Sequence, residues 1–569
     1  MLKTLLALLL AFQLSVPSEE MPSGGVKGRV LARTDRQAVE HARVDILQQA
    51  ARLASVYTDA KGNFQVKGLP DGQYVLVVTA PELLEIRLKV NVSDGRVKNV
   101  FNVMLQAAHH VADDSPDALF GSWDIFANMS RYYFPLLRDN ARGLPVSSQE
   151  IYLAGVRMDE VTPLELVSGL GESFRSHTAV QGSAFSAEAF GGYNGAVSLE
   201  GTASGFRTGL NANLLSHSGL YYLRGQAAYG TGTLPGGWTV AGEAAAHTLA
   251  LTAVPGRTVA GYLGVDKAFS ARHKLSTALF YTSAPVALAR FDYTASPRFR
   301  THVTALGRWT DAQAATLHLA AAFDWQSSRR FSVSGGADGR LGVGNLSGNR
   351  RMELWMSGRT TYRRFGVQAG LRAGQSAAGT EVMGYLTPKV GVDYTWGNVL
   401  ISINSAYFLQ AANRQDRQRF IASDANISYN GTSVNLRATG YVLSQLGPLD
   451  HSAGVELGFK VPVLIIPNVS IQGLVNVAML RENELIPQMM ASAGVSWSAQ
   501  AWFVDADVLD QDNHFSLNVE AGKSWKLDGR YLLGVSSGIR NIFSDKEKLK
   551  SLPISLPGIH YLMKLYLRM

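Results

Sequence analysis

Cysteine is absent from the 569 residues, and this absence excludes disulfides, thiolate metal sites and a cysteine nucleophile. It also leaves no cysteine for the acyl anchor of a lipoprotein. Long apolar runs are missing as well. The richest one after the N-terminus, residues 461–466 (VPVLII), contains Pro462 and is followed by Pro467. A membrane-spanning helix needs about 20 mostly apolar residues, so the sequence predicts none.

The charge balance is mildly basic, with 53 Lys and Arg against 45 Asp and Glu and a formal net charge of +8. No block of Lys or Arg stands out, so we expect no nucleic-acid partner. A basic surface would suit an anionic lipid leaflet, although net charge alone is weak support for that partner. Mean hydropathy is only +0.01 although 46% of the residues are hydrophobic. Such an average is typical of barrel strands, in which apolar residues occupy every second position.

A secretory signal peptide is predicted for residues 1–18, MLKTLLALLLAFQLSVPS. Lys3 supplies the positive start, Leu5 to Phe12 form the apolar core, and Ser15 to Ser18 offer small residues near a cleavage point. The apolar core is too short to serve as a membrane anchor. We therefore expect an exported protein whose mature chain begins near residue 19.

Residues 25–105 have the periodicity of a small β-domain. Apolar and polar residues alternate along 64–66 and 74–78, and the turn sequences DAKG and LPDG precede these stretches. Short alternating strands joined by Gly, Asp and Pro turns predict a β-sandwich. Asp59 and Asp71 are candidates for calcium ligands, but we interpret them as turn-forming residues, the commoner role of aspartate in such sequences.

This segment resembles the carboxypeptidase regulatory-like domain. The similarity covers the whole unit and rests on the stretches GVKGRV and TDAKGNFQVKGLPDGQYVLVV. The matching positions are Gly28, Val30, Ala42, Val44, Thr58, Asp59, Gly62, Phe64, Leu69, Pro70, Gly72, Tyr74 and Leu76. The resemblance implies a transthyretin-like sandwich without catalysis. Such domains are common at the periplasmic front of outer-membrane receptors in Bacteroidota.

Residues 113–194 differ in character and resemble the plug of the TonB-dependent receptors that carry such an N-terminal domain. Three stretches bear the similarity, and they are 124–134 (DIFANMSRYYF), 151–158 (IYLAGVRM) and 190–197 (FGGYNGAV). The glycines of the third stretch let the backbone turn sharply and approach a barrel wall closely. The chain departs from the family in its short length. The linker LQAAHHVADDSP also has no apolar stretch like a TonB box.

Residues 195–569 predict a transmembrane antiparallel β-barrel, which makes the fold class all-β. Strand-length segments repeat with apolar residues on one face and polar residues on the other, as in strands between lipid and a polar lumen. Leu371 and Leu436 lie on the apolar face of their segments, and Arg372 and Arg437 lie on the polar face. We therefore expect the leucines to face lipid and the arginines to face the lumen.

The number of strands is predicted to be about 22, because about 22 segments of roughly 9–14 residues can be placed, near the ~9–11 that a tilted strand needs. A plugged transporter barrel has such an even number. A count of 14 to 20 stays open as an alternative, since strand boundaries are hard to place. The last segment, GIHYLMKLYLRM, alternates up to Met569 and is expected to close the barrel on its first strand.

No catalytic constellation or cofactor motif stands out, so we expect neither an enzyme nor a bound cofactor or metal. Two acids of one segment, at positions 505 and 507, share a face and could hold a hard cation, but we interpret them as polar lumen residues. A plug inside the barrel should pair its cations with lumen acids. The candidates for this contact, chosen by charge sign, are Arg142, Arg157, Arg175, Asp505, Asp507 and Glu520.

The resemblance implies a TonB-dependent outer-membrane receptor that takes up an unidentified solute, small or oligomeric, as the plug rearranges. The alternative is a receptor-like barrel without energy coupling that acts as a structural or assembly scaffold. The expected partners are outer-membrane lipid, the solute, and either TonB or a surface or periplasmic protein. The expected location is the cell outer membrane, with the N-terminal domain in the periplasm.

Overall fold

A computed structural model of the chain describes residues 24–105, 150–158, 170–181, 190 and 195–568, with short gaps within the first, third and last of these ranges. The expected signal peptide at residues 1–18 lies outside the described residues. The strands of the N-terminal part are β1 (Gly24–Ala32), β2 (Arg43–Gln48), β3 (Ala51–Tyr57), β4 (Asn63–Leu69), β5 (Gly72–Ala80), β6 (Leu83–Val92) and β7 (Val97–Leu105).

These strands form two small sheets, one with the order β4-β1-β7 and the other with the order β3-β2-β5-β6. Alternate residues point into one shared apolar core, to which Phe64 and Val66 of β4 and Tyr74, Leu76 and Val78 of β5 all belong. The predicted sandwich is confirmed, and the domain fits a transthyretin-like fold. Its core is built from residues of β1–β7 and the turns between them, so it has the composition of an independent folding unit.

Asp59 closes the turn between β3 and β4. Its Oδ1 atom accepts hydrogen bonds from the amides of Asn63, at 2.8 Å, and Lys61, at 2.9 Å. The hydrogen bond from the Asn63 amide lowers the pKa of Asp59 below its usual value. These contacts support the interpretation of Asp59 as a turn-forming residue. Asp71 lies outside the described residues.

Leu76→Ala should destabilise the N-terminal domain by about 2–5 kcal/mol, because removal of a buried side chain loses apolar contacts and leaves a cavity. Leu76 is 0% exposed in the middle of the sandwich. The measurement is the thermal unfolding of residues 24–105 expressed alone. Tyr57→Ala is the matched control, since Tyr57 is 64% exposed and its loss should change the stability by at most about 0.5 kcal/mol. A non-cooperative melt of the unaltered domain would contradict an independent sandwich.

A third small sheet follows along the chain. Its strands are β8 (Glu150–Leu153), β9 (Val156–Arg157), β10 (His177–Gln181) and β11 (Gly195–Leu199), in the order β10-β11-β8-β9. The sequence placed Gly195–Leu199 at the start of the barrel, whereas this strand pairs with β8 and β10. All five of its residues are buried, which a barrel strand with a lipid face and a lumen face does not allow. We call the described residues from β8 to Phe206 the plug.

The remaining strands form one closed antiparallel barrel of 22 strands, which confirms the predicted number and the all-β fold class. Its strands are β12 (Gly209–His217), β13 (Tyr222–Gly230), β14 (Trp238–Leu249), β15 (Gly256–Ala268), β16 (His273–Tyr281), β17 (Pro285–Ser296), β18 (Phe299–Asp311), β19 (Ala314–Gln326), β20 (Phe331–Gly344), β21 (Arg350–Tyr362), β22 (Phe365–Ala378), β23 (Glu381–Trp396), β24 (Val399–Ala411), β25 (Arg417–Asn430), β26 (Asn435–Gln445), β27 (His451–Pro462), β28 (Val469–Arg481), β29 (Met489–Ala499), β30 (Trp502–Gln511), β31 (His514–Leu527), β32 (Tyr531–Arg540) and, after the short hairpin of β33 (Lys546–Lys548) and β34 (Ser555–Pro557), β35 (His560–Arg568).

The last barrel strand closes the barrel as the sequence predicts. β35 pairs with β12 on one side, with Leu565 opposite Leu214, and with β32 on the other. Because neighbouring strands are antiparallel, β12 begins and β35 ends at the same rim. We call this the terminal rim, and the other edge the opposite rim. Among the described residues, no helix has the length and apolarity to cross a membrane.

The two faces of the barrel strands follow the predicted alternation. Leu371 is 46% exposed on the outer face, whereas Arg372 is 2% exposed inside. Leu436 is likewise exposed outside, and the Arg437 guanidinium donates a hydrogen bond to Thr439, which is buried on the same inner face. The outer surface is therefore an apolar band and the inner surface is largely polar, as membrane insertion requires.

Leu436→Arg should impair barrel assembly, because a charge on the lipid face costs roughly 2–4 kcal/mol near mid-bilayer. Arg437→Leu, one residue away but on the inner face, is the matched control and should be milder. The measurement is the fraction of heat-modifiable, folded barrel on a gel after assembly into bilayers. The reverse ranking would place the register of β26 wrong by one residue.

Candidate functional site

The plug packs against one side of the barrel interior through apolar contacts. Inner faces of barrel strands are normally polar, but several strands from β13 to β19 present apolar residues inward, many of them alanines. The plug residues in the shared buried cluster include Ile151, Leu153, Val156, Leu170, Phe174, Val197, Leu199 and Phe206, and the wall residues include Ala228, Ala241, Ala245, Ala260, Tyr262, Ala278, Phe280, Leu288, Leu306 and Ala320. Plug and wall therefore share one hydrophobic core on this side.

A tight hairpin brings the plug against β18. Ala154 and Gly155 join β8 to β9 and both have positive φ angles, 52° and 88°. A Cβ atom on Gly155 would lie 2.7 Å from Nε2 of His302, so only glycine fits both the backbone angle and the space. The Ala154 carbonyl accepts a hydrogen bond of 2.8 Å from the hydroxyl of Thr304. This turn, which lies within the plug-like stretch 151–158, is therefore a contact between plug and wall.

Four charged side chains, Glu150, Arg157, Glu353 and Arg372, form what we call the plug–wall ion network. Arg372 of β22 donates to both carboxylate oxygens of Glu150, at 2.9 and 3.0 Å. Arg157 lies 3.2 Å from Glu150 and 3.1 Å from Glu353 of β21. All four side chains are at most 14% exposed. The charges therefore alternate in sign along the network, in the order Glu353, Arg157, Glu150 and Arg372. The middle two belong to the plug and the outer two to the barrel wall.

Two tyrosines and a backbone amide add hydrogen bonds to this network. The Tyr152 hydroxyl donates to Glu150 at 2.6 Å, and the Tyr385 hydroxyl donates to Glu353 at 2.6 Å. The amide of Arg157 donates to Asp338 at 3.3 Å, and Asp338 forms an ion pair with Arg351. The free-energy cost of burying a charged group is smaller when the group has such partners than when it is unpaired.

Glu150 is ionised in this environment. Burial by itself would raise the pKa of this carboxyl, but the positive charges of Arg157 and Arg372 and the hydrogen bonds from Tyr152 and Arg372 outweigh burial and lower the pKa to about 2. Because its pKa is lowered, the Glu150 carboxylate stabilises the attached plug at pH values above 4.5, which is the ordinary pKa of this group. This stabilisation is lost as the pH falls toward 2. The network therefore holds at neutral pH.

Phe190 fixes a further part of the plug to the same side of the wall. Its ring centre lies 5.2 Å from the guanidinium of Arg372 and 5.7 Å from Nζ of Lys389. The Lys389 ammonium also donates a hydrogen bond of 3.1 Å to the Phe190 carbonyl. Phe190 is the first residue of the glycine-rich stretch that the sequence predicted to approach the barrel wall. It contacts the wall through these two cations, which belong to β22 and β23.

Two wall acids bind backbone amides of the plug away from the ion network. Glu243 of β14 accepts hydrogen bonds from the amides of Glu172, at 3.1 Å, and Ser173, at 2.7 Å, and from the Ser173 hydroxyl. Asp266 of β15 accepts from the amide of Ser204 at 2.9 Å and pairs with Lys274 at 3.0 Å. Polar attachments of the plug therefore extend from β14 to β23.

The structure places the six candidate residues in different settings. Arg157 does contact a barrel acid, Glu353 of β21, which the sequence did not single out. Asp507 accepts a hydrogen bond from Asn518 at 2.7 Å, and Glu520 accepts one from Ser536 at 2.7 Å. The remaining candidates are Asp505, paired in register with Glu520 in the neighbouring strand, and Arg142 and Arg175, which lie outside the described residues.

The residues that the sequence did not reveal are Glu150, Glu353 and Glu243. The sequence did mark the surroundings of Glu243, because the alternation of apolar and polar residues breaks down in the alanine-rich stretch GEAAAH that contains it. Arg372 was predicted to face the lumen but not to contact the plug. Within the described residues, no group of three or more His, Asp or Glu side chains could hold a metal ion. The ion pairs and hydrogen bonds between plug and wall make this an attachment site.

Comparison with known proteins agrees with this geometry. Residues 25–106 match the family model of the carboxypeptidase regulatory-like domain, whereas no curated protein has a matching sequence. The copper transporter OprC has the same fold, with 13% identity, a TM-score of 0.58 and coverage of 75% of this chain and 91% of that one. The ferric-catecholate import receptor Fiu from E. coli K12 gives 11% identity, a TM-score of 0.58 and coverage of 75% and 90%.

The siderophore receptor PiuA from Acinetobacter baumannii is similar to the same extent, with 10% identity, a TM-score of 0.58 and coverage of 75% of this chain and 90% of that one. These three structures are those of a copper transporter, a ferric-catecholate import receptor and a siderophore receptor. The chain therefore has the fold of these receptors, a 22-strand barrel, together with an N-terminal regulatory-like domain.

Proposed function

We propose that this protein is a TonB-dependent receptor of the outer membrane that takes up a solute through its barrel. The observation that carries the proposal is the plug, a small sheet held inside a 22-strand barrel by ion pairs and hydrogen bonds. A barrel of this size encloses a wide lumen. A receptor needs a plug that seals this lumen at rest and gives way when it is pulled, and non-covalent attachment suits both states.

The path of the solute is proposed to run along the wall from β24 to β31. Among the described residues, inward side chains of these strands form hydrogen bonds with side chains of nearby barrel strands. Examples are Tyr441 with Asn476 at 3.1 Å and Asn518 with Asp507 at 2.7 Å. This lining of amides, hydroxyls and carboxylates favours a hydrophilic solute, whose identity the lining does not specify.

The N-terminal domain is proposed to lie in the periplasm. An exported chain reaches the outer membrane from the periplasm, and a folded β-sandwich has a polar surface that opposes crossing a bilayer. The chain enters the barrel at the terminal rim, where β12 begins and β35 ends. The terminal rim would then face the periplasm, where TonB could reach the segment between the sandwich and the plug.

Binding of the purified TonB C-terminal domain to the full-length protein tests the proposal. We expect saturable binding that is lost when residues 106–149 are deleted and is retained when only the sandwich, residues 24–105, is deleted. The first deletion removes the segment before the plug, and the second serves as its control. Absence of binding to a correctly assembled barrel would contradict energy coupling.

A scaffold role is the second candidate, and two observations favour it. The linker LQAAHHVADDSP, which follows the sandwich, has no apolar stretch like a TonB box. The loops at the opposite rim are short, and the longest connects β32 to β35 over residues 541–559, which leaves little loop surface for capturing a solute. A barrel that retains its plug but never binds TonB would have this role.

A further inference from the structure

Arginines recur in a regular pattern along part of the terminal rim. The four consecutive turns before β16, β18, β20 and β22 each end in an arginine, and each of these strands then begins with an aromatic residue. The pairs are Arg272-His273, Arg298-Phe299, Arg330-Phe331 and Arg364-Phe365. Because the turns are neighbours around the barrel, the pattern makes a continuous line of positive charge.

The backbone holds these four arginines in equivalent positions. The carbonyl of each accepts a hydrogen bond from an amide near the end of the adjacent strand. The pairs are Thr294 to Arg272 at 2.8 Å, Gln326 to Arg298 at 2.8 Å, Thr361 to Arg330 at 2.7 Å and Thr395 to Arg364 at 2.9 Å. Neighbouring strands are about 4.8 Å apart, so arginines two strands apart recur at roughly 10 Å along the rim.

Aromatic rings accompany the cations on the outer face of this rim. The ring centre of Tyr362 lies 5.4 Å from the guanidinium of Arg330 and 5.6 Å from that of Arg363. Further around the same rim, Nζ of Lys267 lies 4.4 Å from the ring centre of Trp238. Aromatic rings at the edge of an apolar band mark the membrane–water interface. The cations beside them are therefore at the level of lipid headgroups.

The two rims differ in charge. The four turns that carry the pattern contain no acidic residue, and Arg329 and Arg363 add to their positive charge. The turns of the opposite rim mix both signs, with acids at Asp416, Glu482 and Glu484 among others. Among the described residues, no carboxylate forms an ion pair with Arg272, Arg298 or Arg363, whose side chains are exposed.

We propose that the terminal rim from β15 to β22 binds the headgroup phosphates of anionic phospholipids in the periplasm-facing leaflet. A guanidinium donates two parallel hydrogen bonds to a phosphate, which makes arginine well suited to this ligand. The choice of leaflet rests on the proposed periplasmic placement of the terminal rim. Lipid binding itself requires no transport, so its test is independent of TonB binding.

The test measures how many phosphatidylglycerol molecules the full-length protein retains in detergent, by native mass spectrometry. The rim variant carries Arg298→Gln, Arg330→Gln and Arg363→Gln. We expect its binding constant for phosphatidylglycerol to fall by roughly fivefold for each arginine removed, as for basic residues near anionic membranes. Raising the salt concentration should weaken binding to the unaltered protein and change the variant less.

The control variant removes the same number of positive charges at the opposite rim, through Arg350→Gln, Lys546→Gln and Lys548→Gln. It should retain phosphatidylglycerol like the unaltered protein, and phosphatidylcholine should be retained weakly by all three. Equal loss in the two variants would overturn the proposal, because net charge would then explain the binding. Retention of lipopolysaccharide in place of phosphatidylglycerol would overturn the leaflet assignment, and full competition by inorganic phosphate would show a phosphate site without lipid specificity.

Discussion

Deletion of residues 113–206 should convert a closed barrel into an open channel and raise single-channel conductance roughly tenfold or more, since a lumen enclosed by 22 strands is wide once nothing fills it. Cells that carry the variant should also become sensitive to antibiotics too large for ordinary porins. The described plug ends at Phe206, three residues before β12 begins at Gly209. The deletion therefore leaves the strands of the barrel intact.

The matched control deletes residues 24–105, which removes the sandwich and keeps the plug. Its conductance should remain as low as that of the full-length protein. Both variants must migrate as heat-modifiable barrels before they are compared. An unchanged conductance in a correctly assembled plug deletion would refute the assignment of residues 113–206 as the element that closes the lumen.

Arg372→Ala should weaken the attachment of the plug by about 1.5–3 kcal/mol, because the Glu150 carboxylate loses the charge-assisted hydrogen bonds that both of its oxygens accept from Arg372. The carboxylate keeps its ion pair with Arg157 and the hydrogen bond from Tyr152. The change also removes the cation that faces the ring of Phe190. We expect the plug to release at a lower urea concentration, measured as the onset of channel opening in planar bilayers.

Arg359→Ala is the control for this change. Arg359 of β21 pairs with Asp393 of β23 at 2.8 Å, so this ion pair joins two barrel strands. Its loss should leave the urea concentration for plug release nearly unchanged. A double variant, Arg372→Ala with Glu150→Ala, removes both charges and should recover much of the lost attachment. Equal effects of Arg372→Ala and Arg359→Ala would contradict a specific plug–wall ion network.

Acid should release the plug through the same network. Since the pKa of Glu150 is lowered to about 2, its contribution to attachment is complete above pH 4.5 and declines as the pH falls toward 2. Channel opening at low urea should therefore increase over this window in the unaltered protein. Glu150→Gln should remove this pH dependence, and a window at neutral pH would point to another titrating group.

The faces of the barrel strands were predictable because they depend on local periodicity. Leu436 and Arg437 are neighbours in sequence, and a period of two places them on opposite faces whatever the rest of the chain does. The number of strands followed from the same regularity. The assignment of β11 failed for a related reason, since a five-residue apolar strand looks the same inside a plug as at a barrel rim.

The partners within the lumen could not be predicted in this way. Arg157 was a candidate for contact with a barrel acid, but periodicity alone gives no reason to choose Glu353 over Glu520, because both face inward. The choice depends on which side of the lumen the plug occupies. That side is set by the fit of the plug to the inward apolar residues of β13 to β19, a tertiary property that no single strand shows.

The most direct measurement of the central claim is the conductance of the intact full-length protein in planar bilayers as urea is raised. If a non-covalently attached plug closes the lumen, the channel should be closed without urea and should open reversibly at concentrations at which the barrel is still folded and heat-modifiable. Removal of the urea should close it again. A channel that is already open without urea, or that opens only when the barrel itself unfolds, would contradict the account.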